Sequence, residues 1–146
     1  MGDKKIKNVF IEGAIQPAFV ADSISNHSAK KNIGAHSIFL GQVRNDLIEN
    51  KEVMAIEYSA YHEMALEKFH QIREDTFASY SLTCLHIHHS LGIVKTGEIS
   101  LFVFTSAVHR KEAIDACQYL VNRIKAEVPV WGKEIFDDES FVWKTN

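Results

Sequence analysis

The chain has 146 residues, with 16 Lys+Arg against 19 Asp+Glu, a net charge of −3 when its eight His are neutral. That length fits one domain, residues 1–146, large enough to bury a core without disulfide staples. A composition of 46% hydrophobic and 24% charged residues excludes a disordered, collagen-like or disulfide-scaffold protein, and the acidic balance argues against a general nucleic-acid binder.

No window reaches the ~18 consecutive apolar residues of a spanning helix, so no membrane partner is expected. The opening MGDKKIKNVFIEG lacks the apolar stretch of a signal peptide. Cys84 and Cys117 sit in apolar surroundings without CxxC-type spacing, the pattern of buried free thiols in a reducing compartment. A cytoplasmic location is the expectation.

In chain order, Val9–Ile15 reads as a strand, and Pro17 suits the first turn of a short helix reaching about Ser25. Residues 26–32 are a polar loop, Ala35–Val43 a strand, Arg44–Lys51 a second polar loop and Val53–Tyr58 a strand. Tyr61, Ala65, Phe69, Ile72 and Thr76 recur at three- and four-residue steps, which predicts a helix over Tyr61–Phe77. Two strands follow, Leu82–His89 and Glu98–Ser106. The second is apolar on both faces and is therefore central and covered. The clearest helix spans about His109–Lys125, with a stripe of Ala113, Cys117, Leu120/Val121 and Ile124. Pro129 introduces a final short strand, Val130–Phe136. Strands and helices mix without a regular βαβ repeat, so the fold class is α+β: one domain, a mixed, mostly antiparallel sheet with packed helices.

The helix opening at His109-Arg110-Lys111 places cations at the positive end of the dipole. An anion held there, such as phosphate or carboxylate, would satisfy both. Solvated charges balanced by Glu112 explain the same residues equally well. Lys125 complements the negative end of the helix, and Lys133 and Arg44, taken alone, are unremarkable surface charges. His86 and His88 share a strand face as two metal ligands would, but no third ligand has suitable spacing, and no metal is expected. Ser106 and His109 lack the Gly-x-Ser-x-Gly elbow of a hydrolase nucleophile.

Several blocks together carry a resemblance: Gly34-Ala35-His36-Ser37-Ile38-Phe39-Leu40-Gly41-Gln42-Val43-Arg44, Ile56-Glu57-Tyr58 with Tyr61 and Met64-Ala65, His88-His89 with Gly92, and Gly97-Glu98. The last two are Ser106-x-x-His109-Arg110-x-Glu112-Ala113 and Lys125-x-x-Val128-Pro129-Val130-Trp131-x-Lys133-Glu134. Spread over about Gly34 to Glu134, they resemble the large, catalytic subunit of molybdopterin synthase. The resemblance implies an α/β-hammerhead fold and an enzyme that inserts two sulfurs into cyclic pyranopterin monophosphate to make the molybdopterin dithiolene. It also implies a separate small ubiquitin-like partner, whose C-terminal Gly-Gly carries the sulfur as a thiocarboxylate, and a homodimer at the core of a heterotetramer. No cofactor is implied.

By the same resemblance Lys125 is the essential acid/base or covalent lysine, with Lys133 beside it. Arg44, His109 and Arg110 hold phosphate and developing negative charge. Phe39 and Val121 line the pocket of the incoming tail, and Glu134 orients a lysine. Arg110 and Lys125 are fifteen positions apart on one helix, about 22 Å at ~1.5 Å rise per residue. His109 and Arg110 are therefore expected to complete the site of a partner protomer. Two positions depart from the family pattern. Gly132 stands where the family has the first lysine of Pro-x-Trp-Lys-Lys/Arg-Glu, and Ser90 stands where it commonly has arginine. Residues alternate along a strand, so Lys133 faces away from the side that position 132 serves. The alternative expectation is a relative that binds pterin and partner without turnover because of Gly132.

Overall fold

The computed structural model describes residues 6–144. Eleven elements follow one another: β1 (Phe10–Glu12), α1 (Pro17–Asn26), β2 (Ala35–Gln42), β3 (Leu47–Ile48), β4 (Lys51–Ala60), α2 (His62–Ser79), β5 (Cys84–Lys95), β6 (Ile99–Ala107), α3 (Arg110–Glu127), β7 (Val130–Phe136) and β8 (Phe141–Trp143). The strands form one eight-stranded sheet whose main path runs β2-β6-β5-β4-β7-β8. All its pairings are antiparallel except β1 on β5. The α+β expectation holds.

Residues of β6 alternate between two apolar layers, which is why its sequence is apolar throughout. Leu101 and Val103 pack with Phe69 and Ile72 of α2 and Cys117, Leu120 and Ile124 of α3. Phe102 and Phe104 pack on the other face with Ile15 and with Val20 of α1. The helical periodicities translate into burial: Ala65, Phe69, Ile72 and Thr76 of α2 are buried, as are Ala113, Ala116, Cys117, Leu120 and Ile124 of α3. Both cysteines are buried free thiols. Among the described residues no helix is long and apolar enough to cross a membrane.

Four boundaries differ from the sequence expectation. The first strand is shorter than Val9–Ile15, because Gly13 at φ 77° turns the chain after Glu12. The expected loop Arg44–Lys51 contains β3. It pairs with β4 through a two-residue turn at Glu49 and Asn50, both with positive φ (50° and 66°). That is the twist a tight hairpin needs, reached without the glycine that usually signals it. The strand read as ending at His89 continues to Lys95, changing partner from β6 to β4. Lastly, Val130–Phe136 is not the final strand. Phe141–Trp143 returns as β8, and all three of its residues are exposed, so no in/out alternation betrays it.

Candidate active site

The positions of α3, β2, β4, β7 and β8 create an open cleft of about 250 Å³. Phe39 and Arg44 from the β2 end, Lys125 from the last turn of α3 and Glu134 from β7 all line it. Tyr58, Ser100, Asp46 and Lys144 complete its charged and polar wall. In sequence, only a resemblance links Phe39, Arg44, Lys125 and Glu134. The geometry brings them together independently, from positions up to 95 residues apart.

Three cations thus meet in one cleft, opposed by Asp46 and the buried carboxylate of Glu134. Arg44 reaches Asp46 at 3.2 Å, an exposed pair of small energetic weight. Lys125 has its pKa lowered, first by desolvation against the cleft wall and then by repulsion from Lys144 and Arg44. Burial raises the Tyr58 phenol above its ordinary range, with Glu134 adding to the rise and the Ser100 hydrogen bond opposing it. Tyr58 Oη donates to Ser100 Oγ at 3.2 Å, and Ser100 Oγ in turn donates to the Gly41 carbonyl at 3.5 Å, tying three strands across the cleft floor.

Val121 does not line this cleft. It lies in an adjoining groove with Ser37, Ile38, Ile114 and Cys117, and Phe39 is common to both hollows. His109 and Arg110 are also elsewhere. His109 is the N-cap of α3 without a side-chain capping bond, and both residues are exposed at the end of the helix remote from Lys125. Among the described residues neither side chain has an ion-pair partner. Ser106 does not engage His109 either; its Oγ is 2.7 Å from His36 Nδ1.

Lys133 lies on the opposite face of β7 from the cleft, as alternation requires. Its Nζ is 3.7 Å from Glu57 and sits over the rings of Phe141 (4.4 Å) and Trp143 (5.6 Å) of β8. The expected pairing of Lys133 with Lys125 in one site is therefore not what the fold gives this chain. Gly132 stands within the paired register of β7, opposite Tyr58 of β4.

Two features are invisible in sequence. Lys144 enters the cleft from the end of β8, a strand the pattern of residues does not reveal. His27, at the end of α1, places its Nε2 3.0 Å from His86 Nε2, while its Nδ1–H donates to the Ser23 carbonyl at 2.7 Å. With Cys84 these side chains bring three possible ligand atoms within 4.8 Å of one another. His88 does not join them; its ring stacks on Phe102 and meets Phe19 edge-on.

Ser90 is fully buried, and its Oγ has no hydrogen-bond partner among the described residues. An unpaired buried hydroxyl is a net cost. Ser90→Ala is expected to raise unfolding free energy by about 1 kcal/mol in urea titrations; a loss of stability would show that the hydroxyl is satisfied in solution.

Comparison with known proteins places these residues in a family. The family model described as "MoaE protein" matches residues 14–127. A rice (Oryza sativa subsp. indica) protein named molybdopterin synthase catalytic subunit is 43% identical over 113 residues. That alignment takes in 77% of this chain but 58% of the rice protein, so the chain spans less than two thirds of that relative. The crystal structure of molybdopterin synthase from Staphylococcus aureus superposes with a TM-score of 0.82 at 29% identity, covering 97% of this chain and all of that one. A Helicobacter pylori complex of subunits 1 and 2 of molybdopterin-converting factor shares the fold, with a TM-score of 0.79 at 20% identity over 94% of this chain and 89% of that one. With the family model matching most of its length, the chain belongs to the MoaE protein family.

Proposed function

We propose that this protein is the catalytic subunit of a molybdopterin synthase, a sulfurtransferase working in the cytosol. It moves sulfur from the C-terminal thiocarboxylate of a small ubiquitin-like carrier subunit to cyclic pyranopterin monophosphate, forming the molybdopterin dithiolene. The observation that carries this reading is the convergence of Arg44 and Lys125 with Phe39 and Glu134 on one cleft. Both reactants are anions, a phosphate ester and a thiocarboxylate, and preorganised cations stabilise such charge best where it develops.

Each residue then has a chemical task. Lys125, with its pKa lowered, exchanges a proton with the reacting centre more readily than an ordinary lysine. Arg44 offers a planar fork to phosphate. Phe39, shared by the cleft and the Val121 groove, lines the path by which a side-chain-free Gly-Gly tail reaches Lys125. Glu134, buried opposite, orients a lysine ammonium. The H. pylori assembly, a complex of two different subunits, supports a separate carrier protein.

His109 and Arg110 enter the site from a second copy of the chain. They and Lys125 occupy opposite ends of α3, an 18-residue helix, about 22 Å apart for Arg110 at ~1.5 Å per residue. Exposed Val108 and Ile114 lie at the His109 end, with exposed Ile38 in the same groove as Ile114, and offer apolar area for a dimer contact. A homodimer with one carrier at each end is the heterotetramer this arrangement calls for.

Single-turnover conversion of cyclic pyranopterin monophosphate with thiocarboxylated carrier tests both parts. Wild-type protein is expected to yield dithiolene product, and Lys125→Ala and Arg110→Ala dimers are each expected to be inactive. Mixing the two variants through dissociation and reassembly makes half the dimers hybrid, each with one intact site, so about a quarter of wild-type activity returns. No product from wild type defeats the assigned reaction. No recovery in the mixture defeats the two-chain site.

A further inference from the structure

We infer that Lys144 is the second amine of the sulfur-transfer cleft, standing beside Lys125 in the space that opens over Gly132. The inference rests on the function proposed above and adds a residue to its site.

Strand register dictates the placement. β8 runs antiparallel to β7 with Lys133 opposite Trp143 and Glu134 opposite Val142, so Gly132 stands opposite Lys144. The Lys144 backbone N–H donates to the Gly132 carbonyl at 2.9 Å, extending the pairing one position beyond β8. Residues opposite one another project to the same face. Lys144 therefore shares the cleft face of Gly132 and Glu134, while Lys133 and Trp143 share the other. Lys144 lines the main cleft with Lys125, Arg44 and Glu134. It also lines the adjoining hollow with Lys125, Tyr58, His89, Trp131 and Gly132.

Position 132 itself has no room for a side chain in this backbone. A β-carbon there would lie 2.7 Å from Ile56 Cγ2, inside contact distance. Opposed β-carbons on neighbouring strands are only about 5 Å apart, within a lysine's own length, so an ammonium from 144 covers the volume above the glycine. Position 132 thus carries no amine, and the next strand supplies one from 144 on the same face.

The two amines are coupled. After desolvation, Lys144 is the largest influence lowering the Lys125 pKa, ahead of Arg44. The other charged or titratable groups facing that amine are Glu134 of β7, Asp46 after β2, Tyr58 of β4 and His89 of β5. Lys144 supplies positive charge to the bound anion and keeps more of Lys125 in its neutral, proton-accepting form.

Two measurements on the full-length protein test this. In ¹⁵N-lysine NMR titrations, Lys144→Gln is expected to move the Lys125 midpoint upward, while Lys51→Gln, a charge loss at the far end of β4, leaves it in place. An unmoved Lys125 midpoint in Lys144→Gln overturns the inference, whether or not the protein turns over. In the dithiolene assay, Lys144→Gln is expected to lose at least about tenfold in single-turnover rate with Lys144→Arg recovering most of it. Wild-type rates in Lys144→Gln would also overturn it. An inactive wild type would instead defeat the proposed reaction, leaving the titration to decide the coupling.

Discussion

Lys125→Ala is expected to lower single-turnover dithiolene formation by about 10²–10⁴-fold, the range that a positioned acid or base contributes. Carrier binding should survive, because Phe39 and the Val121 groove are untouched. Lys125→Arg separates two roles of the residue. Arginine keeps the positive charge but cannot give up its proton near neutral pH. If Lys125 acts by exchanging a proton, Lys125→Arg falls nearly as far as alanine. A variant that turns over like wild type would reduce Lys125 to a fixed charge. The lowered Lys125 pKa favours the first outcome: desolvation at the cleft wall and repulsion from Lys144 and Arg44 all favour the neutral amine.

Stability should fall steeply as pH drops from about 6.5 towards 4. Burial lowers His89 from its ordinary 6.5 to about 4, with the nearby Lys125 charge acting in the same direction and the bond to the Ser90 carbonyl opposing. His86 is likewise lowered to about 4, by burial first and then by His27, Lys7, Arg73 and His88. In that window the unfolded chain takes up protons that the folded chain refuses, so acid favours unfolding. A shift of this size on the well-buried His89 corresponds to about 3 kcal/mol lost by pH 4. His86 borders an open depression, where solvent screening reduces its share.

His89→Phe checks the attribution. The ring packs against Phe10, Tyr58 and Phe69, so a phenyl group fits the surroundings and removes only the titration and the 2.7 Å bond from Nδ1–H to the Ser90 carbonyl. Thermal melts at pH 7 and pH 5 should lie closer together in His89→Phe than in wild type. Equal spacing in the two proteins would mean that other groups set the acid limit.

What sequence could disclose depended on how local the physical signal was. α2, α3 and β6 were legible because one face or two faces of each bury apolar side chains at a fixed period. β3 was hidden because Glu49 and Asn50 adopt positive φ without glycine. β8 was hidden because Phe141, Val142 and Trp143 are all exposed and alternate with nothing. The site divides in the same way. Phe39, Arg44, Lys125 and Glu134 lie in contiguous sequence blocks that resemble a family pattern. Lys144 reaches the cleft only through strand register with Gly132, and His27 meets His86 across 59 residues. Neither relation leaves a trace in spacing. Lys133 shows the converse: its sequence neighbourhood suggested the cleft, and the two-residue period of β7 sends it elsewhere.

β5 has a mechanical consequence. Its first half, Cys84 to His89, is bonded to β6, and its second half, Gly92 to Lys95, is bonded to β4, with β1 laid alongside the junction at His89–Leu91. At Gly92 the backbone takes φ 82°, and the Glu12 carboxylate occupies the volume a side chain would fill. One continuous strand therefore joins the helix-covered layer to the strands that floor the cleft. A displacement of either layer is transmitted to the other through β5. In the two-chain site proposed above, the walls that shut out bulk water come from other chains, so assembly itself would serve as the closing motion.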